Sequence, residues 1–388
     1  MGLQGFIVLL RTKPELFNTG NHITMNRFFI PLFLLLLSCC NNNKTVSLVQ
    51  DGEISYHREA NTNDYFYCQC DNDYFIGNPA RSKTIYVHNV KNGNMLKKIE
   101  LPVTKPIQGF YFFSNSSVFF SPAYSTQILE YNPVSHALDT IVDLTVELLT
   151  RLKMDGTHIG SSIEFICGPS APLIASPPHY FISNIVMPLF EKEEQIPLFH
   201  FVFNNDTLLI DNSIGRFPEH YFEEGKTMAP FNSCLSYATD DRDQIIVSHL
   251  ADHNLYVYDL NGNCKTALCK SKYIKHLPEK ISLLDLESED RLQERENSSA
   301  YIKIIYDPYH NCYYRFVSVS EENNGKNKGH DFSVMILDAD LNVKGEQRFK
   351  NVPYSAFGAL AAPQGLLLKK DDDFSGKTTY GVFKLNGI

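Results

Sequence analysis

One strand-and-turn template recurs along this chain, and it limits the possible folds more than any other feature. Ile85-Tyr86-Val87-His88-Asn89, Ile128-Leu129-Glu130-Tyr131-Asn132, Leu255-Tyr256-Val257-Tyr258-Asp259 and Val334-Met335-Ile336-Leu337-Asp338 are apolar or aromatic runs that each end in Asn or Asp. Weaker copies are Phe199 to Asn204 and Tyr380 to Asn386. Turn residues follow, such as Lys91-Asn92-Gly93-Asn94 and Leu260-Asn261-Gly262-Asn263, and then a second strand. Asn and Asp tolerate positive φ and bond to their own backbone, so each copy reads as a β-hairpin. Ahead of most copies lies another hairpin: Tyr65 to Cys70 with Tyr74 to Gly77, Gly109 to Phe113 with Val118 to Phe120, Cys234 to Thr239 with Gln244 to Ser248, Ile302 to Tyr306 with Cys312 to Val317, and Phe357 to Ala361 with Leu366 to Lys370. Two hairpins make a four-stranded antiparallel sheet, and a series of such sheets is the signature of a β-propeller. The expected fold is all-β, with six four-stranded blades.

The last copy lacks a fourth strand. Thr45 to Val49, or Ile54 to Tyr56 beyond the Asp51-Gly52 turn, supplies a candidate. An N-terminal strand there closes the ring and hides an edge that otherwise invites aggregation. We therefore expect a single propeller domain over residues 45–388. Two stretches break the regular pattern. The third blade, Ser161 to Phe217, is long and rich in proline, and Glu279 to Glu296 reads as a short helix or ordered loop on the rim.

Near the N-terminus, Met25-Asn26-Arg27 precedes the apolar run Phe28 to Leu37, which ends in Ser38-Cys39. The run of about ten residues is half the length a membrane-spanning helix needs. Basic flank, apolar run, small residue and cysteine together resemble a lipoprotein signal peptide. That reading makes residues 1–38 upstream sequence and signal, with translation starting at Met25. It makes Cys39 the lipid attachment site, with Cys40 the alternative, and residues 39–44 a tether. The tether Cys40-Asn41-Asn42-Asn43-Lys44 carries no acidic residue, unlike surface-exported lipoproteins of many Gram-negative gut bacteria, so the expected location is the periplasmic face of the outer membrane.

The formal charge of −9 becomes −11 once residues 1–38 are removed, because Arg11, Lys13 and Arg27 leave against Glu15 alone. With no clustered basic face, nucleic acid is not an expected partner. Cysteines number nine, but a chain this long needs no disulfide framework, and most read as small buried hydrophobes. Cys68 and Cys70 point to one strand face at a separation unsuited to a bridge.

No constellation of residues commits the chain to catalysis. His249 and His253 have the spacing of a metal pair on a helix, yet they flank a connection between strands and read as loop histidines. Asp371-Asp372-Asp373-Phe374-Ser375-Gly376 resembles the front of a calcium loop, but Val382 stands where the closing Glu belongs. Asp338-Ala339-Asp340-Leu341-Asn342 alternates oxygens but fits a hairpin better. Gly156 to Ser162 lacks the strand and sharp turn of a nucleophile elbow. Tyr313-Tyr314-Arg315 offers ring faces and a bidentate cation, although as strand residues they fit packing better. No metal or cofactor is expected.

The asparagine tether, the signal, the six blades and above all Tyr306-Asp307-Pro308-Tyr309-His310-Asn311-Cys312-Tyr313-Tyr314-Arg315 resemble an uncharacterised family of six-bladed, TolB-like propeller lipoproteins from Gram-negative gut bacteria. The resemblance covers nearly all of residues 25–388. It implies fold and location and supplies no catalytic residues. The expected role is binding or scaffolding of a peptide, glycan or protein partner. The alternative is a hydrolase or lyase with an acid/His or divalent-metal site at the channel mouth. Converging His or carboxylate side chains in the channel would favour the enzyme, and aromatic lining would favour the binder.

Overall fold

In the four strong repeats, the closing Asn or Asp does the same work in the structure. The Asn89 carboxamide oxygen accepts from the backbone N–H of Lys91 and Asn92, at 3.0 and 3.1 Å. Asn132, Asp259 and Asp338 hold their own turns in the same way. The reversal needs a left-handed residue, filled by Gly93 at φ 73°, Gly262 at φ 80° and Leu341 at φ 65°. Asp338 to Asn342 is therefore a hairpin turn, as expected. The computed structural model describes residues 45–59, 63–144, 165–166, 170–184, 197–204, 207–211, 213–228, 235–282, 297–320, 331–371 and 376–387.

The first strand, β1 (Ser47–His57), stands apart from those that follow it in sequence. Blade 1 is β2 (Tyr65–Cys70), β3 (Tyr74–Pro79), β4 (Thr84–Asn89) and β5 (Met95–Glu100). Blade 2 is β6 (Ile107–Ser114), β7 (Ser117–Pro122), β8 (Gln127–Tyr131) and β9 (Leu138–Asp143). In blade 3 two short inner strands, β10 (Phe165–Ile166) and β11 (Ile174–Ser176), share one side of β12 (His179–Asn184), followed by β13 (Leu198–Asn204) and β14 (Thr207–Asp211). After β15 (Lys226–Met228) comes blade 4, made of β16 (Leu235–Thr239), β17 (Ile245–His249), β18 (Asn254–Tyr258) and β19 (Cys264–Leu268). After β20 (Lys280–Ser282), blade 5 contains β21 (Ala300–Asp307), β22 (Cys312–Ser318), β23 (Phe332–Asp338) and β24 (Val343–Phe349). Blade 6 is β25 (Tyr354–Ala362), β26 (Gly365–Lys370), β27 (Lys377–Asn386) and, as its outer strand, β1. All pairing is antiparallel.

The two candidate closing segments are one strand. β1 pairs with β27 from Ser47 opposite Asn386 to His57 opposite Lys377, with a bulge between Gln50 and Glu53. It also reaches both neighbours. Val46 N–H donates to Lys344 O of blade 5 at 3.1 Å. The Tyr56 ring stacks on Phe75 of blade 1, centroids 3.6 Å apart, and its hydroxyl donates to Val90 O.

Middle strands are buried on both faces while outer strands are exposed: Cys312 to Val317 of β22 are all buried, whereas β5 is mostly open to solvent. The reason is that each blade lies between two others. Six apolar clusters fill the six blade interfaces, from Tyr67, Phe110 and Phe120 between blades 1 and 2 to Tyr65, Phe75, Leu367 and Tyr380 between blades 6 and 1. Among the described residues no interface is left open.

Lys280 to Ser282, expected in a helix or loop, instead pair with Lys226 to Met228 as a two-stranded ribbon, β15 with β20. Two lysines on Glu223, Lys226 at 2.6 Å and Lys280 at 2.8 Å, lock this ribbon and draw the carboxyl down to about 2. Residues 283–296 lie outside the described residues.

Candidate functional site: the axial channel

The inner strands of the blades converge on the axis, and several are irregular there. Pairing slips at Phe66 of β2, Gln108 of β6, Ile302 of β21 and between Ser355 and Leu360 of β25. Bulges of this kind re-aim side chains, and the residues that follow three of them, Tyr67, Lys303 and Leu360, line the channel. A cavity of about 450 Å³ opens at the end carrying the turns after β16 and β21, lined by Tyr67, Tyr111, Phe181, Tyr237, Tyr306 and Tyr309 among others. A second, of about 550 Å³, lies toward the opposite strand ends, between blades 6 and 1. Cys68, Lys303 and Leu360 line both and form a waist.

The carboxylates at the first mouth divide into two kinds. Asp240 and Asp307 build turns. Asp240 accepts from the backbone of Arg242 and Gln244, from Arg242 Nε at 2.8 Å and from the Tyr313 hydroxyl at 2.7 Å. Burial opposes its charge, but these donors win and its carboxyl titrates low. Asp307 accepts from the backbone of Tyr309 and His310, from His310 Nδ1 at 2.8 Å and from the Tyr314 hydroxyl at 3.1 Å. Asp241 and Asp243 also line the cavity, and Asp241 sits 3.0 Å from the Tyr306 hydroxyl. Burial, followed by Asp241, pushes that hydroxyl up to about 12. Tyr309 is pushed up by burial, then by Cys70, Asp71, Asp307 and Asp73, which shows how many acidic groups crowd this rim. Arg242 is held by Asp240 and by Ala339 O, so the mouth is negative, with ring faces beside the charge.

The histidine pair singled out from sequence lies elsewhere. His249 is fully buried off the channel, among Phe217, Tyr221 and Tyr256. Neither of its ring nitrogens makes a hydrogen bond of good geometry among the described residues, a weaker interaction with the Arg216 backbone aside. His253 pairs through Nδ1 with the Tyr301 hydroxyl at 2.8 Å. The two histidines do not share a ligand site, and among the described residues no three His, Cys, Asp or Glu side chains are grouped to hold a metal. His179, which does line the cavity, is bonded through Nδ1 to His200 at 3.0 Å.

Tyr313, Tyr314 and Arg315 are wholly buried packing residues. They still shape the site, since the two tyrosines hold the carboxylates of both mouth turns. Arg315 lies 3.4 Å above the Tyr301 ring and donates to Ser248 Oγ and to the carbonyls of Asp252, His253, Asn254 and Cys269. Cys269 and Cys312 are buried free thiols, whereas Cys68 and Cys70 are partly open and Cys264 is exposed. Asp371 borders the second cavity, but residues 372–375 lie outside the described residues, as do Gly156 to Ser162 and Cys39. Sequence reading missed Asp241, Tyr306, Tyr309 and Lys303. For Lys303 a signal existed, one charge inside the apolar run Ala300 to Ile305.

A family model described as a domain of unknown function, DUF4221, matches residues 214–348, the stretch from ahead of β15 into β24 that includes Tyr306 to Arg315. A crystal structure of a DUF4221 family member from Bacteroides vulgatus superposes with a TM-score of 0.71 at 17% identity, over 89% of this chain and 100% of that one. A protein from Bacteroides fragilis described as exported superposes with a TM-score of 0.52 at 9% identity, over 90% of this chain and 98% of that one. No curated protein matches the sequence. These likenesses are of fold, and they agree with the six blades.

Proposed function

We propose that this chain is an exported lipoprotein, anchored through Cys39 on the periplasmic face of the outer membrane, whose propeller binds a peptide or protein segment at the axial channel. The observation that carries the binding role is the first cavity, about 450 Å³ with tyrosine faces and an acidic rim. Such a mouth suits a basic side chain with an apolar stem: the carboxylates attract the charge, and the rings cover the stem and stack on a guanidinium. The basic flank, apolar run and Ser38-Cys39 support the anchor. A glycan fits the aromatic faces but leaves the acidic rim unexplained. The hydrolase or lyase alternative needs free converging groups, whereas Asp240, Asp307 and His179 already have partners.

Fluorescence anisotropy with labelled short peptides tests the binding role. Arg- or Lys-containing peptides should bind more tightly than acidic ones, with affinity falling as salt rises. Asp241→Asn and Tyr309→Ala should each weaken binding roughly tenfold, the scale of one lost interface anchor. Equal affinity for acidic and basic peptides, or no binding by a well-folded protein, would sink the reading.

A further inference from the structure

Lys303 is the one lysine buried among the described residues, with 2% of its surface exposed. It sits in β21 with Tyr301, Ile302, Ile304 and Ile305 around it, a strand otherwise built for packing. The ladder to β22 slips at that point: Tyr301 lies opposite Val317 and Lys303 opposite Phe316, leaving Ile302 unpaired. The slip delivers the lysine to the channel waist, where it lines both cavities.

A second irregularity, in the neighbouring blade, meets it. Between Ser355 and Leu360 β25 leaves the register of β26, which frees the carbonyls of Phe357 and Ala359. Lys303 Nζ donates to both, at 2.9 and 2.7 Å. No described carboxylate forms an ion pair with this amine. Its companion at the waist, Cys68, is pushed up to about 11 by burial, so at neutral pH it is an uncharged thiol and no counter-ion. Burial without a counter-charge disfavours the ammonium form and brings Lys303 down to about 7. A neutral amine uses its two N–H bonds on the two carbonyls and keeps a lone pair. Desolvated lysines of this kind are nucleophiles.

We propose that Lys303 is a carbonyl-reactive amine, which captures an aldehyde- or ketone-bearing small molecule in the channel as an imine. The Nζ lone pair attacks the carbonyl carbon, the carbon–oxygen π pair moves to oxygen, and a proton passes from nitrogen to oxygen. The hydroxyl then leaves with a second proton as water, and a C=N bond remains. No electrons are gained or lost overall. A protonated imine retains one N–H for the carbonyls of β25. This chemistry rests on the channel admitting small ligands, and it does not depend on peptide recognition at the mouth.

Glycolaldehyde with cyanoborohydride, applied to the full folded chain in mild detergent from pH 6 to 9, tests the proposal by peptide mass spectrometry. At pH 7 Lys303 is expected to be modified roughly tenfold faster than exposed Lys91, since its larger free-amine fraction outweighs its weaker intrinsic nucleophilicity. Its rate should level off above a midpoint near 7, while Lys91 keeps rising. Lys303→Met should remove the fast adduct, and Lys303→Arg, which keeps a cation but no primary amine, serves if the first variant does not fold. A Lys303 that stays unmodified, or that follows Lys91 at every pH, overturns the proposal. Loss of peptide binding with fast Lys303 labelling intact would instead count against the peptide-binding role.

Discussion

Arg315 shows how a buried cation can be held without a carboxylate. Its guanidinium serves the carbonyls where β17 turns into β18 and where β19 ends, and it lies flat on Tyr301. Burial lowers it, to about 10, and it stays charged. Arg315→Met takes a donor from each of these carbonyls, although His253 O keeps the Cys269 N–H and Cys269 O keeps the Tyr301 hydroxyl, and should cost about 1–3 kcal/mol in denaturant unfolding, while Arg315→Lys recovers only part, because one ammonium cannot span the fork. Two buried histidines make stability depend on pH. Burial holds His88 down at about 4 and His249 at about 3. His88 has a neutral arrangement, with Tyr65 Oη on Nε2 and Gly93 O on Nδ1. Between pH 6.5 and these values the unfolded chain binds more protons than the folded one, so stability is full above about 6.5 and falls as pH drops through this window. His249→Phe, which suits the surrounding rings, should flatten the fall in melting temperature between pH 7 and 5; an unchanged slope would show that His249 does not contribute. At this scale the sequence was half legible. Tyr313 to Arg315 read as packing and are packing, although their hold on the mouth turns was not legible, whereas Lys303 showed only as one charge in an apolar run, its aim revealed by the strand register alone.

At the level of elements, β1 is the piece on which closure turns. Removing 45–57 strips the outer edge of β27 and takes away contacts to blades 5, 6 and 1 together. The deletion should lower the melting temperature sharply or cause aggregation, and an unaltered melt would remove the case for closure. A finer test uses Gly345, where an added Cβ would stand 1.9 Å from Val46 O. Gly345→Val should push the start of β1 off blade 5 and speed proteolysis near residues 45–50, with little effect on blades 2 to 4. The hairpins were readable because Asn and Asp turns are local chemistry. The β15–β20 ribbon was not, since three-residue strands separated by a whole blade carry no local signature. The split inner strand of blade 3 was hidden in the same way, behind prolines that signalled only irregularity.

For the whole molecule, six filled interfaces mean that each blade is stabilised by two neighbours and none by a single central core. The architecture was legible because a repeat declares itself, and the channel was not, because its lining comes from bulges in several different blades. The proposed anchor is a property at this scale too: Cys39→Ala, expressed from Met25, should move the protein from membranes to the soluble fraction, and retention with Cys40 intact would shift the attachment by one residue. Closure by β1 also sets an order in time. Leu48 pairs with Leu385, so β1 finds its partner only after the more than 300 residues between them have been made. At about 5–20 residues per second that delay is on the order of tens of seconds. Until then β1 has no strand to pair with, and a messenger cut short just before Lys377 would leave it unpaired permanently.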